Sequence, residues 1–254
     1  MDPLIWIVAL GAVVAGFVQG LSGFAFGLVA MSFWAWTVEP RLAAPVVVFG
    51  GLTGQVVAAF SVRRGFDRKL VMPFIAGGLA GIPIGVGLLP LLDLHRFKAV
   101  LGVVLVVWCP LMLAARQLPR IPFLGPVLDR GADGTVGLIG GIMGGIGGFT
   151  GVAPTLWCTL RGMDKDAQRA VIQNFNLATL AATMAIYIAT GVVTTDTLPL
   201  FAVVAPAMLV PTYLGAKLYL GLSEAAFRKI VLTLLTASGI ALLSSALPTV
   251  VGRL

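Results

Sequence analysis

Apolar runs of about 18 residues or more recur along this chain, each long enough as a helix to cross about 30 Å of hydrocarbon. Short clusters of charged and turn residues separate them. Reading the runs against the clusters predicts eight helical elements, at about 4–37, 42–62, 70–92, 97–115, 134–160, 168–190, 197–220 and 225–247. The first and fifth are too long for one tidy crossing. The longest polar gap, RQLPRIPFLGPVLDRGAD at 116–133, is rich in Pro and Arg. It divides one integral membrane domain into an N-terminal repeat (1–115) and a C-terminal repeat (134–254).

The two halves resemble each other. GLSGF (20–24) falls on GIGGF (145–149) at an offset of 125, and the same offset puts Glu39 on Asp164. HRFKAVL (95–101) matches AAFRKIV (225–231) with small insertions. A duplicated four-element unit accounts for these matches.

Composition agrees with the pattern. Hydrophobic residues make up 59% of the 254 and charged residues 11%, with a mean hydropathy of +1.03. A soluble domain would be about 25% charged, so the composition is that of an all-α polytopic membrane protein. The net charge of +7 does not point to nucleic acid, because the basic residues sit in short loops where they orient the chain in a bilayer. Cys109 and Cys158 lie inside apolar runs, so neither a disulfide framework nor a metal site is read from them. The opening MDPLIWIVAL lacks the basic leader of a cleaved signal peptide and is taken as part of the mature fold.

The cations also predict topology. If all eight elements cross, Lys and Arg divide evenly between the two sides. If elements 1 and 5 instead enter and leave on one side, thirteen cations gather in the segments 63–69, 116–130, 161–169 and 217–229. Only Arg41, Arg96, Lys98 and Arg253 then face the other compartment. The second arrangement obeys the positive-inside rule. Equivalent loops differ in the same sense: RRGFDRK (63–69) carries four basic residues and TGVVTTD (190–196) none, as inverted repeats produce. The expected fold is therefore two inverted repeats, each a Gly-tipped re-entrant hairpin plus three transmembrane helices, with both termini outside.

GGIMGGIGGFTG (140–151) gathers seven glycines into twelve positions, although glycine inside a helix costs about 1 kcal/mol relative to alanine. Two uses justify that cost. Gly77, Gly81 and Gly85 form a small-residue ridge suited to helix packing, as do Gly137, Gly141 and Gly145, and Gly140, Gly144 and Gly148. The breaks expected at Gly20–Phe24 and Gly147–Gly151 serve a second purpose as hairpin tips dipping about halfway into the membrane from opposite sides. There glycine permits a left-handed turn and close approach of backbone to ligand. The helix leaving each tip offers free N–H groups and the positive end of its dipole to an anion.

Polar residues near the tips complete the candidate site. Ser22, Gly23 and Phe24 come from the first tip, and Gly147, Gly148, Phe149 and Thr150 from the second. Backbone N–H groups would bind the anion, the Ser22 and Thr150 hydroxyls would orient it, and Phe24 and Phe149 would gate it. Gln173, Asn174 and Asn176, three amides within four residues of element 6, would line the inner path, with Gln55 on element 2 and Gln19 as weaker candidates. The same amides also suit inter-helix hydrogen bonding. Arg161, Lys165 and Arg169 fit orientation determinants and equally a mouth that gathers anions.

The paired tips GLSGF and GIGGFTGVAPTL, the duplication and the length together resemble the TauE/SafE sulfite exporter family, over nearly the whole chain. The family's run of three glycines followed by Pro is only partly kept. The first half has Gly23-Phe24-Ala25-Phe26-Gly27 and Val29, whereas the second keeps Gly147, Gly148 and Pro154 but has Phe149. The resemblance implies an inner-membrane carrier of small sulfur-containing anions such as sulfite, sulfonates or related organic acids. It does not name the anion, because members differ in substrate.

All ten carboxylates fall at predicted loops or segment ends, and the one histidine, His95, is placed in a loop. This leaves no buried acid or histidine chain for a proton relay and nothing to carry covalent or metal chemistry. No enzyme activity and no cofactor are expected. Potential-driven efflux or exchange fits best. A passive anion channel and a proton-coupled carrier of another small organic acid stay open, as does dimerisation.

Overall fold

The computed structural model describes residues 3–61, 67–115, 120–122, 125–218 and 224–251, and every regular element among them is helical. Ten α-helices follow in order: α1 Pro3–Ser22, α2 Phe26–Trp34, α3 Pro40–Ser61, α4 Arg68–Leu88, α5 Leu94–Ala114, α6 Pro126–Gly147, α7 Val152–Leu160, α8 Lys165–Ala189, α9 Leu198–Leu218 and α10 Glu224–Val251. All eight expected elements are present, and only the first and fifth are split in two. The basic loop at 63–66, Arg116 and Arg253 lie outside the described residues.

Seven of the helices are long and apolar enough to cross a membrane, so the chain is a multi-pass membrane protein. The exceptions are α2, α6 and α7. At nine residues each, α2 and α7 span only about 14 Å at 1.5 Å per residue. The 22-residue α6 carries Asp129, Arg130 and Asp133 in its first turns. The two arms flanking each break are unequal: 20 and nine residues in the first half, 22 and nine in the second.

Helix starts explain where several carboxylates go. Asp67, Asp93 and Asp164 each cap a helix, their oxygens accepting from Lys69 N, Arg96 N, and Asp166 N and Ala167 N, which satisfies donors that the first turn leaves orphaned. α6 starts at Pro126, inside the stretch read as connecting loop, because Gly125 turns at φ 110° and Pro at the first helical position is pre-set for the helix. Asp129 and Asp133 are consequently on a helix, and Asp129 is buried. His95 likewise sits in the first turn of α5 rather than in a loop.

The glycine ridges act as packing devices. Along α4, side chains at Gly77, Gly81 and Gly85 would run into the α6 backbone at Gly134, Leu138 and Ile142. Facing them, Gly137 and Gly141 of α6 lie on the α4 backbone at Phe74 and Gly78, and Gly145 lies on Ile82 and Gly85. Two ridges thus mesh backbone to backbone, which van der Waals contact rewards in lipid, where hydrophobic association gives nothing. The same device joins α1 to α9: Gly16 and Gly20 face Met208 and Thr212, and Gly215 faces Phe17. The first helix of each half therefore packs on the third of the four expected elements of the other half, α1 on α9 and α6 on α4.

Candidate functional site

Each split element breaks at a glycine in the left-handed region, Gly23 at φ 83° and Gly148 at φ 76°. These two glycines occupy the same position of the repeated motif. α1 ends at Ser22 and α6 at Gly147, so Gly20, expected within the first break, instead belongs to α1 and its packing on α9.

The first break is tied to α3. Gln55 Nε2 donates to Gly23 O at 2.6 Å, and Gln19 Nε2 donates to Gly51 O at 3.0 Å. Ser22 Oγ accepts from Phe24 N and Ala25 N at 3.4 and 3.2 Å. That hydroxyl oxygen caps the turn into α2, and its O–H proton remains for another acceptor.

The second break is tied to α8. Thr150 Oγ1 donates to Asn176 Oδ1 at 2.8 Å, buried from both sides. Gly148 N donates to Gly144 O at 2.8 Å, which closes the end of α6. Trp108 of α5 donates its indole N–H to Val152 O at 2.7 Å, which fixes the start of α7.

The two breaks lie against each other. A Cβ at Gly27 would come 2.8 Å from Gly148 O, and one at Gly151 would come 3.0 Å from the Phe24 ring. α8 passes both. Gln173 Nε2 lies 3.7 Å from where a Gly23 Cβ would be, and Asn176 Nδ2 lies 3.1 Å from the corresponding point at Gly151. One turn of α8 thus sets one amide beside each break. Between them on α8, Asn174 Nδ2 donates to Ala170 O on its own helix. Phe24 stands edge-on to Trp108 with centroids 5.9 Å apart, while Phe149 is buried against Phe97 at 6.4 Å. Gly147 lies under the Phe149 ring.

Beside the first break, a cavity of about 30 Å³ opens among α1, α3, α8 and α9, lined by Gln19, Gly23, Arg169, Gln173, Thr212 and Tyr213 among others. Thr212 and Tyr213 are additions that sequence reading passed over. The signal was present as a Thr-Tyr pair after Pro211 in an otherwise apolar run, but nothing in the sequence sets α9 beside α1.

Arg161 is committed elsewhere. Its Nη1 meets Asp129 Oδ1 at 2.6 Å and Pro122 O at 3.2 Å, and its guanidinium lies 5.6 Å from the Trp157 ring centroid. The Asp129 hydrogen bond raises the Arg161 pKa above its ordinary value. Trp157 in turn donates to Asp133 Oδ1 at 2.7 Å. This cluster locks the end of α7 to the start of α6. Cys109 and Cys158 are free and buried.

Neither the curated proteins nor the solved structures contain a significant match to the chain. The model of the family described as sulfite exporter TauE/SafE matches residues 8–242. With two glycine breaks in contact inside a bundle of membrane-spanning helices, the chain belongs to the sulfite exporter TauE/SafE family and is a membrane transporter of that type.

Proposed function

We propose that the chain carries a small anion of the sulfite or sulfonate class across the cytoplasmic membrane and binds it between the two breaks. The observation that carries this reading is the contact of the breaks with α8, where Gln173 stands beside the first and Asn176 beside the second. Ser22 supplies a hydroxyl proton, Thr150 donates its own to Asn176 and so aims that amide, and the short helices α2 and α7 begin at the breaks with their dipoles' positive ends. Backbone at Gly23 leaves room for close approach, whereas Gly147 and Gly148 are covered by the Phe149 ring and by Val47 and set the shape of the second break. Phe24 and Phe149 flank the site as apolar gates, with Gln55 holding the first break in shape.

An inverted-repeat origin is supported by two features: the left-handed glycines at the same motif position, and the exchanged pairing of α1 with α9 and α6 with α4. On this reading both termini are outside, and each half contributes an unequal-armed hairpin plus three crossing helices. The boundary between the repeats lies in the segment after α5. Anion export from a negative interior is favoured by the potential at about 2.3 kcal/mol per charge per 100 mV, so efflux or exchange needs no coupling ion.

The test is sulfite flux from proteoliposomes under a set membrane potential. Saturable, potential-dependent flux is expected, and Thr150→Val should reduce it at least tenfold by releasing the second break from Asn176. Flux unchanged in that variant would remove the second break from the site. Absence of both flux and binding would remove the reading altogether.

A further inference from the structure

The cavity beside the first break sets a few polar atoms into a mostly apolar lining, and those atoms are of a particular kind. Thr212 is 3% exposed and its hydroxyl makes no hydrogen bond. Gln19, also 3% exposed, donates through Nε2 to Gly51 O, which fixes the amide so that Oε1 is the atom left over, and Oε1 has no partner. Buried groups of this sort are normally hydrogen-bonded, and leaving one without a partner destabilises the fold. Arg169 adds a cation to the lining and Gln173 an amide, and no carboxylate among the described residues lines the cavity. At the rim, Tyr213 is half exposed with Lys217 Nζ 4.6 Å from its ring centroid.

Charge selects an anion here, and the acceptor selects which anion. A bare carbonyl oxygen repels an oxyanion whose oxygens are all acceptors, but it accepts a hydrogen bond from one that keeps a proton. We propose that this cavity binds small monoanions bearing one ionisable proton, such as hydrogen sulfite. In this pose the O–H donates to Gln19 Oε1, and the remaining oxygens accept from Arg169 and the Thr212 hydroxyl. At about 30 Å³ the cavity has room for little more than one or two waters, so the anion enters as the Tyr213 and Arg169 side chains swing outward at the rim. The proposal rests on the transport reading and gives the first-break side of the path a selectivity: the protonated monoanion is preferred over sulfonates and dianions.

The test is calorimetric binding of sulfite and of methanesulfonate to the purified protein at mildly acidic pH, where both are monoanions and only hydrogen sulfite carries an ionisable proton. Hydrogen sulfite should bind at least tenfold more tightly. Arg169→Gln should weaken both ligands, with Arg169→Lys restoring part of the loss, and Thr212→Val should weaken both less. Gln19→Leu should erase the preference while leaving methanesulfonate binding in place, a result that also shows the variant folds. Equal binding of the two anions, with sulfite flux intact, would overturn the proposal and leave the transport reading standing. Proton-selective binding without any flux would do the reverse. If anionic lipid, and not sulfite, competes for Arg169, the cavity is a headgroup site and the proposal falls.

Discussion

Gly148 and Gly191 share a backbone conformation but not a setting. Both have positive φ, 76° and 71°, which a side chain tolerates at a cost of about 1–2 kcal/mol. A Cβ at Gly148 would also come 2.8 Å from Val47 Cγ1, whereas one at Gly191 would meet nothing within 4 Å. Gly191→Ala should therefore lower the midpoint of thermal unfolding in detergent modestly. Gly148→Ala should lower it further and should also reduce sulfite flux, because the turn that sets the second break against Gly27 must move. Equal losses in the two variants would mean that strain alone, and not contact with α3, governs the break. The motif marked Gly148 as special in the sequence, but its neighbour Val47 comes from the other half of the chain.

At the scale of a helix, α6 carries glycines with opposite meanings. Gly141 lies on the α4 backbone at Gly78, closer than any real side chain would allow, while Gly131 faces open space. Gly131→Ala should stabilise by up to about 1 kcal/mol, since alanine restricts the unfolded chain and favours helix. Gly141→Ala should destabilise clearly, because both colliding partners are backbone and cannot turn aside. The check is the pair of unfolding midpoints, which should move in opposite directions. Spacing alone marked 137–141–145 as a ridge and left Gly131 outside it, so this element was legible in advance. Its start was not. The Asp129–Arg161 pair and the Gly125 turn extend α6 back to Pro126, and an ion pair between residues 32 apart leaves no periodic trace in sequence.

For the whole molecule, the proposed inversion has a direct consequence: the loops after the two equivalent helices α3 and α8 face opposite compartments. Single cysteines introduced at positions 66 and 194, in a background without Cys109 and Cys158, should be labelled by an impermeant thiol reagent from opposite sides of oriented vesicles. Labelling from the same side would refute the inverted arrangement. The break contacts and the glycine ridges would be untouched, since they do not depend on orientation.

Hydrophobic length and glycine spacing by themselves determined that this is a multi-pass helical membrane protein, which two elements break, and which faces are bare enough for close packing. These are local properties, written wherever the next few residues decide the free energy. The partners were decided only by the fold. Gln55 and Asn176 reach the breaks, whereas Asn174, two residues before Asn176, turns its Nδ2 back onto Ala170 O of its own helix, because each residue rotates about 100° around the helix. Thr212 enters the cavity because α9 packs on α1 across almost the whole length of the chain. Long-range packing brings these groups together, and the buried polar atoms it leaves unsatisfied at Gln19 and Thr212 appear only when all four helices are in place.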